Sequence, residues 1–165
     1  VSIVRSGKRL DDIDAQLILA LTEHPRSTVV ALAESTGLSR NTVQSRLTKL
    51  EEEGALASFE RRVDPAALGY PLTAFITTTV AQRRLDEVAE ALSQIPEIVE
   101  VFGLSGPTDL LVRVVAADAD DLYRIAGKVL ATPGVERTTT ALVMREMVQH
   151  RLTPLLRRLV GPPGR

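Results

Sequence analysis

Apolar positions in this chain follow one spacing up to Leu50 and another beyond Pro71. From Ile13 to Leu50 they recur every three or four residues, the interval of helices that each bury one face. Ile13, Leu17, Ala20 and Leu21 make the first stripe. Asp11 stands where a side chain caps the helix start, and Asp14 adds a second carboxylate at its positive end. Pro25 stops this helix. Ser27 or Thr28 opens a short second helix with Val29, Leu32 and Ala33 inward, after which Gly37 supplies a sharp turn and Leu38 plugs the angle. Ser39 caps a third helix in which Val43, Leu47 and Leu50 lie at i, i+4 and i+7.

Gly54 ends the third helix. Residues 55 to 63, ALASFERRV, read as a strand or extended connector, with Phe59 packing on a partner subunit, the hinge or the core. Asp64-Pro65 and Gly69-Tyr70-Pro71 then break the chain. Beyond Pro71 strands and helices alternate. PLTAFITTTV, over residues 71 to 80, is a strand rich in Thr, Ile and Val. Leu85, Val88, Ala89 and Leu92 mark a helix that Pro96 ends, and the strands IVEVFGL and DLLVRVV follow. Leu122, Ile125, Ala126 and Val129 repeat the same offsets in a second helix, before Pro133 and a last strand, VERTTTALVMREM. This order is βαββαβ, an antiparallel sheet with both helices on one side. Its strands are apolar or Thr-bearing on both faces, with Phe75 opposing Ala74 and Ile76 and Leu111 opposing Leu110 and Val112. The face without helices is then a large sticky surface, which self-association covers, so a dimer is expected.

The fold class is therefore α+β, a winged helix-turn-helix domain followed by a ferredoxin-like βαββαβ domain. The expected divisions are a tail over 1–9, the first domain over 10–62, a hinge over 63–70, the second domain over 71–150 and an extension over 151–165. Residues 155–165 read as a loose Pro/Gly-rich tail.

The polar face of the third helix carries the candidate chemistry. Ser39, Arg40, Asn41, Thr42, Gln44, Ser45, Arg46 and Lys49 make a set without an acid. Arg bonds guanine in the major groove, Asn or Gln pairs bidentately with adenine, and hydroxyls, Arg or Lys hold phosphates. Ser39 through Gln44 enter the groove first, whereas Arg46 and Lys49 meet the DNA backbone or stabilise the helix end. The bland reading is an ordinary three-helix unit with a solvated face, in which Arg46 pairs with Glu53 or Glu34.

A second candidate is the turn from Gly103 to Asp109. Ser105, Gly106, Pro107, Thr108 and Asp109 form either a small-ligand site, with backbone amides for a carboxylate and Asp109 for an amine, or a hairpin turn whose Asp caps its own backbone.

Composition narrows the classes. The 165 residues are 44% hydrophobic, enough for one or two packed domains, and no apolar run is long enough for a bilayer. Zero cysteines fit a reducing cytoplasm, and His24 and His150 are too far apart in sequence to support a metal site or triad. No nucleotide fingerprint is present, and neither an enzyme nor a cofactor is expected. A net charge of −1 opposes DNA binding, but Arg5, Lys8 and Arg9 add to Arg40, Arg46 and Lys49, while acids collect at 11–14 and 51–53. So modest a footprint requires a dimer or larger assembly for tight binding to double-stranded DNA.

The chain resembles the Lrp/AsnC, or feast/famine, family of transcription regulators over about residues 10 to 154. The matching segments are LDDIDAQLILAL at 10–21, VALAESTGLSRNTVQSRLTKLEEEGAL at 30–56, VDPAALG at 63–69, VFGLSGPTDLLVRV at 101–114 and PGVERTTTALVM at 133–144. The resemblance implies a cytoplasmic, nucleoid-associated regulator whose second domain is the family's amino-acid-sensing RAM domain. It implies homodimers assembling to tetramers or octamers. It also implies an amino-acid or related small-metabolite effector beside Ser105, Gly106, Pro107, Thr108 and Asp109, where Pro107 and Thr108 depart from the family's acidic or polar residue and aromatic. The competing reading is a ligand-binding or assembly protein whose first domain no longer reads DNA.

Overall fold

The computed structural model describes residues 9–161, so Arg5 and Lys8 of the expected basic tail lie outside the described residues. The chain folds as two units, one built from residues up to Arg61 together with those from Val148 onward, the other from Arg62–Met147.

In the first unit, α1 (Asp12–Glu23), α2 (Val29–Thr36) and α3 (Arg40–Glu52) form where the apolar spacing places them. Each start is capped by a side-chain oxygen. The Asp14 N–H donates to Asp11 Oδ1 at 2.9 Å and the Asp11 N–H to Asp14 Oδ2 at 3.2 Å, a reciprocal capping box. Thr28, rather than Ser27, caps α2. Gly37 takes the left-handed conformation (φ 71°) that turns α2 into α3 without steric cost. Leu17, Leu32, Ala33 and Val43 form the core of the three helices, with Ile13, Ala20, Leu21, Val29, Leu38 and Leu47 packed around them.

Two expectations fail in this unit. Of the two readings of residues 55–63 the strand does not form: the segment is a connector that runs into a 3-10 helix at Phe59–Arg62. A strand needs a neighbour to satisfy its backbone, and this segment has no ladder partner among the described residues, so there is no wing. Phe59, 75% exposed, is not a core residue. The expected loose tail is also partly ordered: α6 (Thr153–Val160) packs against α1 with Leu156 buried. Pro154 sits in its first turn, where a missing N–H costs nothing.

The second unit is a four-stranded sheet in the order β2-β3-β1-β4, from β1 (Leu72–Val80), β2 (Ile98–Gly103), β3 (Leu110–Ala116) and β4 (Val135–Leu142). All its pairings are antiparallel. The helices α4 (Leu85–Ser93) and α5 (Ala119–Leu130) cover one face. Period-two alternation places Ala74, Ile76 and Val80 of β1 in the core with Leu110, Val112 and Val114 of β3 and Val88, Leu92, Ile125 and Val129 of the helices. The last strand stops at Leu142, short of the expected Met147. Val143 still donates to the Thr73 carbonyl, but β1 begins at Leu72 and Pro71 has no N–H to extend the ladder.

Two details lock this packing. Gly134 has φ 104°, and a Cβ there would lie 2.8 Å from Cγ2 of the fully buried Val88, so no side chain fits between α4 and the start of β4. On the opposite face Phe75 pairs with Arg113 and Ala141, Leu111 with Phe102, and Arg113 with Glu100, their side chains left half-buried or exposed.

The helical assignment of residues 153–160 yields an expected outcome. Leu156→Ala should remove a buried side chain at the α1–α6 contact and lower unfolding stability by about 2–5 kcal/mol in denaturant titration. An unchanged midpoint would show that α6 contributes nothing to the unit.

Candidate nucleic-acid interface and effector loop

On α3 the apolar stripe decides which side chains face outward. Val43 and Leu50 are 0% and 2% exposed, so Arg40, Asn41, Gln44, Ser45 and Thr48 remain in solvent. Ser39 accepts the Thr42 N–H at 3.1 Å, and its hydroxyl lies 2.8 Å from Thr42 Oγ1. These two residues close the first turn and leave Arg40 and Asn41 at the helix's positive end, where a phosphate is favoured. Lys49 is half-buried, with its Nζ 4.0 Å from Glu53 Oε1.

Arg46 is placed differently from the rest of the candidate set. It follows Val43 by three residues and precedes Leu50 by four, so it flanks the buried stripe. Its Nη1 donates to Asp14 Oδ1 at 3.0 Å and to Asp11 Oδ2, the two carboxylates of the α1 capping box. The expected partners Glu53 and Glu34 are replaced by acids of another helix, a pairing that spacing along α3 does not reveal. The Asp14 N–H, followed by Arg46, holds the Asp11 carboxyl below its ordinary range, and both aspartates hold the Arg46 guanidinium above its own.

In the second unit Ser105, Gly106 and Pro107 are exposed, and Thr108 and Asp109 are half-buried. The Asp109 carboxylate serves the backbone of a neighbouring strand, while its carbonyl closes its own turn. Its N–H donates to the Thr78 carbonyl at 2.9 Å and its carbonyl accepts the Leu104 N–H at 2.8 Å. Its Oδ2 accepts the Val80 N–H at 2.8 Å. Val80 lies past the last β1–β3 pair, Thr78 with Leu110, so the carboxylate supplies the acceptor that the ladder no longer offers. Main chain and carboxylate of Asp109 together close the hairpin onto β1.

Comparison with known proteins fits both units. The sequence model of the AsnC-type helix-turn-helix domain matches residues 10–51, and that of the Lrp/AsnC ligand binding domain matches residues 73–153. The chain belongs to the Lrp/AsnC family. At the level of the family it is a ligand-modulated helix-turn-helix regulator. The HTH-type transcriptional regulator FL11 of Pyrococcus horikoshii is 35% identical over 136 residues, covering 82% of this chain and 90% of that protein. A proline dehydrogenase transcriptional activator of Rhizobium radiobacter is 32% identical over 142 residues, covering 84% and 91%. Among solved structures, a feast or famine regulatory protein from Mycobacterium tuberculosis complexed with L-methionine is 30% identical with a TM-score of 0.75, covering 87% of this chain and 98% of that one. A Neisseria meningitidis transcriptional regulator complexed with L-methionine is 26% identical with a TM-score of 0.74, covering 86% and 94%. Among the described residues, no group of three or more acidic, His or Cys side chains is placed to hold a metal ion, and no helix is long and apolar enough to cross a membrane.

The capping box gives a pH-dependent outcome with a defined sign. A carboxyl that titrates lower folded than unfolded adds stability at neutral pH and loses it as the pH falls through the folded value. Arg9, Lys49 and Glu53 line the same crevice. Thermal melts between pH 7 and 3 should be level to about pH 5 and then decline. Asp11→Asn should flatten part of that decline, and an identical slope in the variant would exclude Asp11 as a source.

Proposed function

We propose that this chain is a sequence-specific DNA-binding transcription regulator whose operator affinity or assembly is modulated by an amino acid or related small metabolite. The observation that carries the reading is the outward face of α3, where Arg40, Asn41, Gln44 and Ser45 are exposed, with no acid between Leu38 and Leu50. Arg40, Asn41 and Gln44 read base edges, and Ser39, Thr42, Ser45 and Lys49 meet phosphates. A homodimer joined through the open sheet face presents two such helices, and assembly to a tetramer or octamer multiplies a grip that is weak for one subunit. The exposed or half-buried Phe75, Phe102 and Leu111 support that interface.

The effector lies beside Ser105–Asp109. The L-methionine complexes of the two bacterial relatives support an amino acid as its class. Backbone N–H groups of the loop and the hydroxyls of Ser105 and Thr108 supply its contacts, while Asp109 holds the loop on β1. Effector and DNA are then reciprocally coupled, each changing the affinity for the other by the same factor.

Binding to the DNA upstream of the protein's own gene, measured at two salt concentrations, tests the regulator reading. The wild type should bind more weakly at higher salt, and Arg40→Ala combined with Gln44→Ala should lose most specific affinity. Absent or salt-independent binding by both proteins, in an assembled sample, would leave the DNA-independent ligand-binding or assembly reading.

A thermal-shift and sizing screen over the amino acids tests the effector. A bound amino acid at a hundredfold excess over its Kd should stabilise the protein by about 2.7 kcal/mol. Ser105→Ala with Thr108→Ala should reduce that shift, whereas equal stabilisation of both proteins would place the effector elsewhere.

A further inference from the structure

The Arg46 contacts define a role that phosphate binding does not explain. α3 meets α1 over a narrower stretch than it meets α2, so the angle between α1 and the reading helix rests on few interactions. One of them is a charged bridge. Arg46 lies halfway along α3, and its guanidinium spans Asp11 and Asp14. Each of those carboxylates is itself fixed by a backbone N–H, Asp11 by that of Asp14 and Asp14 by that of Asp11. The acceptors therefore do not swing with Arg46; they are part of the first turn of α1. The Arg46 and Asp14 side chains are 28% and 13% exposed, which shields this pair from solvent more than an ordinary surface pair. To reach a phosphate Arg46 would have to leave two carboxylates and strand them beside each other.

We infer that Arg46 is a positioning residue for DNA reading: it ties the middle of α3 to the capping box of α1 and so sets how Arg40, Asn41 and Gln44 are presented, without touching DNA itself. This rests on the proposal that α3 reads DNA. The bridge has two demands that a point charge does not meet. Its donor must reach two oxygens on different residues at once, which a planar guanidinium does and a lysine ammonium does poorly. Both acceptors must also be ionised.

The test separates positioning from phosphate contact by salt dependence. Removing one phosphate contact lowers the slope of log affinity against log salt by about 0.9. Full-length wild type, Arg46→Gln, Arg46→Lys, Asp14→Asn and the double variant Arg46→Gln with Asp14→Asn are titrated against the upstream DNA. The temperature is one at which circular dichroism shows every variant folded. Arg46→Gln should lose affinity by about tenfold, the worth of one base contact, with an unchanged slope. Asp14→Asn should do the same, the double variant should be no worse than the poorer single one, and Arg46→Lys should fall between.

A slope reduced by about 0.9 in Arg46→Gln, with Asp14→Asn silent, would overturn the inference and make Arg46 a phosphate contact. Unchanged affinity in Arg46→Gln would overturn it as well. Should wild type bind no DNA at any salt, the regulator proposal fails separately. The same variants then report on the bridge through thermal melting, where additive losses for Arg46→Gln and Asp14→Asn would overturn the clamp and non-additive losses would uphold it.

Discussion

Burial of one narrow stripe on α3 underlies the arrangement of the first unit. Val43 and Leu50 are almost completely removed from water, and Leu47 packs beside the core that Leu17, Leu32 and Ala33 form. Each such side chain contributes on the order of 1.5–3 kcal/mol relative to exposure, so α3 has one strongly preferred rotation about its axis. Residues 41, 44, 45 and 48 are then forced into solvent by helix geometry alone. A uniformly apolar helix would bury this face, and a uniformly polar one would not dock. The α1 capping box and the Gly37 turn refine the angle, but the stripe decides which residues are offered to a partner.

A comparable one-sided constraint organises the second unit, with period two in place of 3.6. Alternate residues of β1 meet α4 and α5, which leaves Phe75, Thr77 and Thr79 on the other surface. The helical layer is full: Gly134 leaves no room for even a methyl group beside Val88. The open layer carries the sheet's remaining apolar area and the Arg113–Glu100 pair, whose Nη1–Oε2 distance is 3.2 Å. Loop and sheet are joined by Asp109, which ends the hairpin with one donor, its N–H to the Thr78 carbonyl, and two acceptors, its carbonyl for Leu104 and its carboxylate for Val80. The same residue that family resemblance marks as part of a ligand site is thus structurally engaged, and its carboxylate defines where the Ser105–Thr108 backbone stands.

How far the chain was legible varied with the range of the interactions concerned. The caps at Asp11 and Ser39, the turn at Gly37 and the matching apolar offsets of α4 and α5 all depend on residues within one or two helical turns, and each was readable, while the cap of α2 was narrowed to Ser27 or Thr28. Over residues 55–63 the strand reading failed and the connector reading did not, because the alternating pattern resembles a strand while a strand also requires a neighbour that no local pattern announces. The C-terminal helix failed for the converse reason. Pro and Gly at residues 161–164 pointed to a loose tail, yet Leu156 finds a partner in α1 more than a hundred residues earlier.

Sequence alone determined the order of α1 to α5 and β1 to β4, the buried stripes and the acid-free run of α3 up to Leu50, because periodicity and capping are short-range and repeat along the chain. It also brought the loop from Ser105 to Asp109 into view as a candidate site. Tertiary structure decided which candidates remain outward. Arg46 and Asp109 have the right chemistry for a ligand, but each faces a polar group from a distant part of the chain: the capping-box carboxylates for one, the Val80 N–H for the other. The reason is that a charged side chain takes the nearest complementary group in space, and nearness in space is set by the packing of whole helices and strands.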